Sequence, residues 1–193
     1  MPKNICFIYA ETNGTHKTKD IVSKKNMFKF ARPICINYII GYKQGEDFVE
    51  VVNERKIFKP EYIPFPEESV EEHGITFKKA DSKGINGKDI LEKFKRDIKN
   101  VQVIIGHDIA FHLRSIQVEC IRHCINPDFS NYILIDTMKF NHNLESPELK
   151  KLSKHVLDKS YDDKKSKFNI QILKKCFLKL YHDYEENILK EQN

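Results

Sequence analysis

The chain has 193 residues, which is enough for one domain with a sizeable core and too few for two. Hydrophobic residues make up 40% of it and charged residues 32%, a balance that excludes disordered and fibrous classes. No apolar run approaches the ~20 residues of a membrane span, and the N-terminus shows no signal-peptide cleavage pattern. We therefore expect residues 1–193 to form a single domain in the cytoplasm or nucleus.

The positive charge is carried by lysine. The formal net charge is +5, and only five of the 33 basic residues are arginine. A lysine ammonium attracts phosphate but lacks the two-pronged geometry of guanidinium, so contact with a nucleic-acid backbone is favoured over base reading. Scattered lysines are equally typical of a solvated surface. The frequent Lys, Ile and Asn residues suggest an AT-rich coding genome, such as that of a large DNA virus or a parasite.

Five cysteines are an odd number and lie far apart, which indicates reduced, mostly buried thiols rather than a disulfide framework. Cys120, His123 and Cys124 have a spacing that allows them to meet on one helix, as zinc ligands do. A tetrahedral zinc site needs further ligands at suitable spacing, and the sequence offers none. We expect these side chains to be small, half-buried members of a helix face.

The first third of the chain is predicted to form an antiparallel meander. A short apolar run at 4–10 is typical of a buried strand, and Gly14 supplies the freedom for the turn that follows. Two further β-rich runs lie at 33–42 and 48–52, the last with valines alternating with acids. The basic stretch at 17–29, between the first two runs, is predicted to be a mobile loop.

The remainder of the chain alternates helices with two more strands. Prolines between 60 and 66 interrupt regular structure, and the charged stretch at 158–167 is predicted to be a connector. Apolar periodicity predicts helices at 89–98, 107–124, 149–157 and 169–189, and strands at 101–105 and 132–135. This order predicts an α/β fold with a mixed sheet, a three-stranded antiparallel meander plus two parallel strands, flanked by helices.

Four short motifs follow one another along the chain. They are Tyr9-Ala10-Glu11-Thr12-Asn13-Gly14, then His73-Gly74-Ile75-Thr76, then His107-Asp108-Ile109-Ala110-Phe111-His112, and finally Asp136-Thr137-Met138 with Leu149-Lys150-Lys151-Leu152-Ser153. In this order they resemble motifs of the DEDDh family of 3′–5′ exonucleases, which includes the proofreading subunit of bacterial polymerase and ribonuclease T. The resemblance covers nearly the whole chain and implies a ribonuclease H-like fold.

The chemistry of that family depends on carboxylates. Two divalent cations, Mg²⁺ or Mn²⁺, lie between four acidic residues and clamp the scissile phosphate, while a histidine deprotonates the attacking water. The resemblance retains Glu11 as one of the four acids. The other three positions hold Tyr9, His112 and Leu173, and Phe168 stands in place of the histidine. One glutamate cannot hold two cations together, so we expect little or no two-metal cleavage and no required cofactor.

Two alternatives remain open at this site. Glu11, Asp108 and His112 could form a one-metal site, using Mg²⁺ or Mn²⁺ if the protein is active, with Asp162 or Asp163 approaching from the connector. Otherwise Glu11 bonds within a turn or helix and His112 bonds locally. In that case Phe168 and Leu173 are expected to join the core.

Binding does not require the metal site. The resemblance places five residues where the family cradles or stacks on a terminal nucleotide: Thr12, Asn13, His73, Thr76 and Phe111. Aromatic stacking and backbone amides need no cation, so binding of a nucleic-acid end can survive the loss of cleavage. The alternative is that Phe111 packs in the core and His73 caps a turn.

The leading hypothesis is a catalytically degenerate exonuclease-like domain that binds single-stranded or 3′-terminal nucleic acid, or a protein partner in a replication or transcription complex. Two alternatives are an active metal-dependent exonuclease with a remodelled site and a scaffolding protein with a closed cleft. An exposed edge strand of the meander could also pair two copies into a homodimer.

Overall fold

The computed structural model describes residues 4–126, 128–139, 148–159 and 168–191, with side chains as far as His182. Within these residues the strands are β1 (Asn4–Thr12), β2 (Pro33–Gln44), β3 (Asp47–Ile57), β4 (Val103–Gly106) and β5 (Ile133–Asp136). The α-helices are α1 (Glu67–His73), α2 (Phe77–Lys83), α3 (Gly87–Asp97), α4 (Ile109–Arg122), α5 (Leu149–Leu157) and α6 (Asn169–Glu191).

The strands form one mixed sheet in the order β3-β2-β1-β4-β5. β1 pairs with β2 and β2 with β3 in antiparallel fashion, whereas β1–β4 and β4–β5 are parallel. This arrangement confirms the predicted meander followed by two parallel strands. β1 lies at the centre of the sheet, and β3 and β5 are its edges.

Alternation along β1 divides the core into two layers. Cys6 and Ile8 face a cluster that includes the apolar sides of α3 and α4. Phe7 faces the opposite cluster, to which α5 and α6 contribute. Helices on both faces explain why the first nine residues of β2 are all buried, because a strand covered on both sides needs no polar face.

Several boundaries differ from the prediction. β3 continues to Ile57, because its pairing with the long β2 carries it beyond the alternating valines. α1 and α2 are short helices after the prolines, too short for apolar periodicity to reveal. α4 begins at Ile109 rather than 107, because Asp108 adopts a left-handed conformation (φ 58°) and caps the helix. The predicted connector lies mostly outside the described residues, as do Asp162 and Asp163.

The five cysteines are free thiols, four of them buried and Cys124 exposed. The prediction of mostly buried thiols is confirmed, but Cys120 and Cys124 are not half-buried on one helix face, because α4 ends at Arg122. Burial raises the pKa of the Cys120 thiol to about 12. Among the described residues, no helix combines the length and apolar character that crossing a membrane requires.

Candidate functional site

The candidate site lies where β1 and β4 end and α4 begins. Because β1 and β4 are parallel, their carboxyl ends lie at the same end of the sheet, and only two residues separate β4 from α4. Tyr9 and Glu11 lie on the same face of β1, because side chains two residues apart in a strand point to the same side of the sheet. α4 brings His112 against this strand, so that the Tyr9 and His112 rings are 4.5 Å apart between centroids. The structure therefore brings together Tyr9 and His112, two positions that the sequence resemblance matches to acids of the family.

His112 is bonded to backbone through both ring nitrogens. The Ala10 N–H donates to Nδ1 (3.1 Å), and Nε2 lies 3.0 Å from the carbonyl oxygen of His107. Since a carbonyl only accepts, Nε2 carries the proton and donates to it. Burial, opposed mainly by the nearby Asp108 charge, lowers the pKa of His112 to about 4. The imidazole is neutral and bonds to nearby backbone groups, and neither nitrogen offers a lone pair to a metal.

The surrounding acids are not arranged as ligands. Glu11 is buried, whereas Asp108 is exposed, and its carboxylate accepts the N–H of Phe111 at the start of α4. Asp136 accepts the backbone N–H of Asp108 (3.0 Å). Throughout the described ranges, no three or more His, Cys, Asp or Glu side chains form a group that could hold a metal ion. The structure does not gather Glu11, Asp108 and His112 into a ligand set.

The residues considered for zinc also remain apart. Cys120 is buried among the apolar residues of one core cluster, whereas Cys124 is exposed in a left-handed turn (φ 56°). His123 Nε2 lies 3.4 Å from a carboxylate oxygen of Glu119. α4 ends at Arg122, so Cys124 lies beyond the helix and does not continue the helix face that carries Cys120.

Phe168 and Leu173, which the sequence resemblance matches to the family's last motif, have different environments. Leu173 is fully buried in the cluster that also holds Phe7, as the core alternative predicts. Phe168 is 43% exposed, so the prediction that it joins the core is wrong. It precedes the first residue of α6 and lies outside the apolar stripe that the helix turns toward the sheet.

The polar residues expected to cradle a nucleotide have structural hydrogen bonds. Thr12 donates its hydroxyl proton to the carbonyl oxygen of Gly14 (2.6 Å). Asn13 exchanges two hydrogen bonds with the backbone of Arg32: its side-chain oxygen accepts the N–H, and its own N–H donates to the carbonyl. Thr76 caps α2 by accepting a backbone N–H of the first turn. Whether they also contact a ligand remains a prediction.

His73 occupies the end of α1 and is 3% exposed. Its Nδ1 accepts the N–H of Ile75 (3.0 Å), so it does cap a turn, and Nε2 has no hydrogen-bond partner among the residues that the structure describes. Burial lowers its pKa to about 4, with the positive charges of Arg55 and Lys79 acting in the same direction. Two cations of the chain therefore lie near this buried imidazole.

Phe111 is half-buried at the surface of α4, so it is not a core residue. Its ring stacks on that of His16 with 4.4 Å between centroids and an interplanar angle of 26°. His16 also accepts the Ala31 N–H at Nδ1 and approaches the Phe111 carbonyl with Nε2. Burial lowers the pKa of His16. The sequence gives no sign of this pairing.

A buried ion pair is the other feature that the sequence does not reveal. Arg32 donates from Nη2 and Nε to the two carboxylate oxygens of Glu119 at 2.6 and 2.9 Å. The side chains are 11% and 2% exposed. Arg32 also donates to the carbonyls of Glu61 and Tyr62. The one available signal is Glu119 itself, an acid flanked in the sequence by the apolar residues Val118 and Cys120.

Comparison with known proteins gives structural matches only. No protein-family model and no curated protein matches the sequence. Apo exonuclease I has a TM-score of 0.70 and 16% identity, covering 93% of this chain and 42% of that chain. E. coli exonuclease I in complex with a dT13 oligonucleotide has a TM-score of 0.68 and 17% identity, covering 97% and 43%. The zinc-ion-bound E. coli exonuclease I–ssDNA complex has 0.65 and 16%, covering 95% and 40%.

The chain thus spans about two fifths of the length of these proteins. At this level of identity the likeness shows the fold alone, and it agrees with the predicted mixed sheet flanked by helices. The chain has the ribonuclease H-like α/β fold of an exonuclease domain.

Proposed function

We propose that this chain is a catalytically degenerate exonuclease-like domain that acts by binding single-stranded or 3′-terminal nucleic acid. One observation carries the proposal: His112, at the position of a family metal-binding aspartate, is a neutral imidazole with both nitrogens bonded to backbone. Leu173, at the position of another, is fully buried among apolar side chains. The donor set around Glu11 does not fit two divalent cations, and no step through a metal follows from it.

The electrostatics near the site support binding of phosphate. Arg55 and Lys79 both lower the pKa of His73, and both also act on the Cys35 thiol, as does Glu11. Arg55 lies opposite Asn37 of β2, and Asn37 in turn lies opposite Tyr9 of β1, so this cation is two strands away from the segment that carries Glu11. A cation of the chain can attract a phosphate backbone without a metal. The solved exonuclease I structures include complexes with single-stranded oligonucleotides, which makes such a strand the first ligand to test.

The test is incubation of the purified protein with a labelled single-stranded oligonucleotide at low salt, with Mg²⁺, with Mn²⁺ and with chelator. We expect a mobility shift that chelator does not change and no shortening of the strand. Cation-dependent shortening from the 3′ end that disappears in Glu11→Ala would overturn the proposal in favour of an active exonuclease with a remodelled site. Absence of both shift and shortening would favour a scaffolding protein. RNA and DNA strands of the same sequence are compared in the same assay.

We also propose that the protein associates with other protein chains through the edge strand β3. β3 is an edge strand of 11 residues, and Val51 on it is 66% exposed. Such an edge can pair with a second copy of the chain or with a protein of a replication or transcription complex. Light scattering across a concentration series tests the homodimer, because a monomer at all concentrations would contradict it.

A further inference from the structure

The segment between β1 and β2, residues 13–32, is the most basic exposed part of the described chain outside the helices, and we call it the basic loop. Asp20 is its only acid. Two large apolar side chains also point outward: Ile21 is 91% exposed and Phe28 is 70% exposed. Its exposed lysines are Lys17, Lys19, Lys24, Lys25 and Lys29.

Hydrogen bonds hold the basic loop in one shape. Asn13 and Arg32 close its two ends through a pair of bonds of 2.8 and 3.1 Å. The Lys17 N–H donates to the Lys29 carbonyl (2.8 Å), joining the two limbs. The Asn26 side chain accepts the backbone N–H and hydroxyl of Ser23 and donates to a backbone carbonyl. A loop that is already ordered loses little conformational entropy when it binds a ligand.

The basic loop lies beside the candidate site. It begins at Asn13, directly after the last residue of β1, and contacts the start of α4, the helix that carries His112. His16 stacks on Phe111, and Arg114 donates to the Lys19 carbonyl (2.9 Å). A nucleic-acid strand that extends from the candidate site past the carboxyl end of β1 would therefore reach the lysines of the basic loop.

We propose that the basic loop is a contact surface for single-stranded nucleic acid, with its lysines on phosphates and Phe28 stacked on a base. Ammonium groups supply backbone attraction that weakens with salt. An exposed ring adds stacking, which every base can satisfy and which salt affects little. An acidic protein could pair with the lysines, but unlike a nucleic acid it would not present a row of flat bases on which Phe28 can stack. The inference rests on the proposed function and identifies the surface along which the single-stranded nucleic acid binds.

The experiment compares three proteins in binding to a labelled single-stranded oligonucleotide across a salt series. In the loop variant, Lys17, Lys19, Lys24, Lys25 and Lys29 are changed to Gln. The control variant changes five exposed lysines elsewhere to Gln: Lys83, Lys95, Lys99, Lys151 and Lys175. Both variants lose the same charge, so only the location differs. Because all ten side chains are exposed, thermal unfolding should be the same in both.

The loop variant should bind roughly tenfold or more weakly at low salt, with a shallower dependence of affinity on salt, while the control changes much less. Phe28→Ala should weaken binding by roughly fivefold or more without changing the salt dependence, and Phe28→Trp should restore it. Equal losses in the loop and control variants would overturn the inference while leaving the proposed function intact. If the unmodified protein binds no strand, the proposed function itself fails. An unchanged affinity in Phe28→Ala would refute the stacking contact.

Discussion

The helix α4 carries a buried polar residue near each end. One of them is charged and paired with an opposite charge, and the other is neutral. Near its C-terminal end, Glu119 is an ion pair with Arg32, with both carboxylate oxygens engaged. In its first turn, His112 is neutral and bonded only to backbone groups. The chain thus keeps a buried charge where it supplies its own counter-charge, and elsewhere on the same helix it buries an uncharged group that is bonded to backbone.

This difference has an energetic meaning. A buried ion pair that loses one partner leaves an uncompensated charge in a medium that solvates it poorly. A neutral side chain that loses its hydrogen bonds leaves only unsatisfied dipoles, which cost less. The Arg32–Glu119 pair should therefore dominate the stability of this part of the molecule, and His112 should contribute in proportion to its two bonds.

The largest effect is expected for Glu119→Ala, which leaves the Arg32 guanidinium buried without its carboxylate. The free energy of unfolding should fall by about 3–5 kcal/mol, measured by urea denaturation. The control is the double variant Arg32→Met with Glu119→Leu, which removes both charges and should lose less than the single variant. Equal losses in the two proteins would mean that packing, and not the unpaired charge, carries the cost.

Acidification should destabilise the protein through its buried neutral histidines. The pKa of His112 is about 4 in the folded chain and ~6.5 in the unfolded chain, and His73 shifts in the same direction. Between those values the unfolded chain binds more protons, so the stabilisation is complete above about pH 6.5 and declines toward pH 4. Urea midpoints across this range should fall with pH, with a shallower fall in His112→Gln.

Removal of the imidazole tests the hydrogen bonds of His112 at constant pH. His112→Ala leaves the Ala10 N–H and the His107 carbonyl without their side-chain partner, and should cost about 1–3 kcal/mol in unfolding free energy. His112→Gln offers one donor and one acceptor and should recover part of that loss. If Gln is no better than Ala, the volume of the ring against Tyr9 matters more than its bonds.

The smallest effect is expected for His123, the outer partner of Glu119 at 3.4 Å. His123→Ala should reduce the unfolding free energy by less than about 1 kcal/mol, because a partly exposed pair at this distance contributes little. Chemical denaturation beside Glu119→Ala gives the comparison. A loss as large as that of Glu119→Ala would show that Arg32 alone does not satisfy the carboxylate.

The fold was accessible from sequence because apolar runs and helical periodicity are local. The run at 4–10 and the periodic segment at 149–157 needed only their own residues to be recognised. The site depends on contacts between distant residues: His112 with the Ala10 backbone, Arg32 with Glu119, and His16 with Phe111. Phe168 shows that prediction from sequence also fails over a short distance. It lies one residue before the start of α6, and that shift is enough to keep its side chain out of the apolar stripe of the helix.

The central position of β1 has a consequence for how the chain acquires its structure. Ile5 pairs with Val103, so about half the length of the chain separates β1 from its parallel neighbour, and that much must be synthesised before the two can pair. At roughly 5–20 residues per second on the ribosome, the nascent meander has an unpaired apolar edge for on the order of ten seconds. Contacts of such long sequence separation also slow folding. Fragments that end before β4 keep that edge open and are the form of this protein most prone to aggregate.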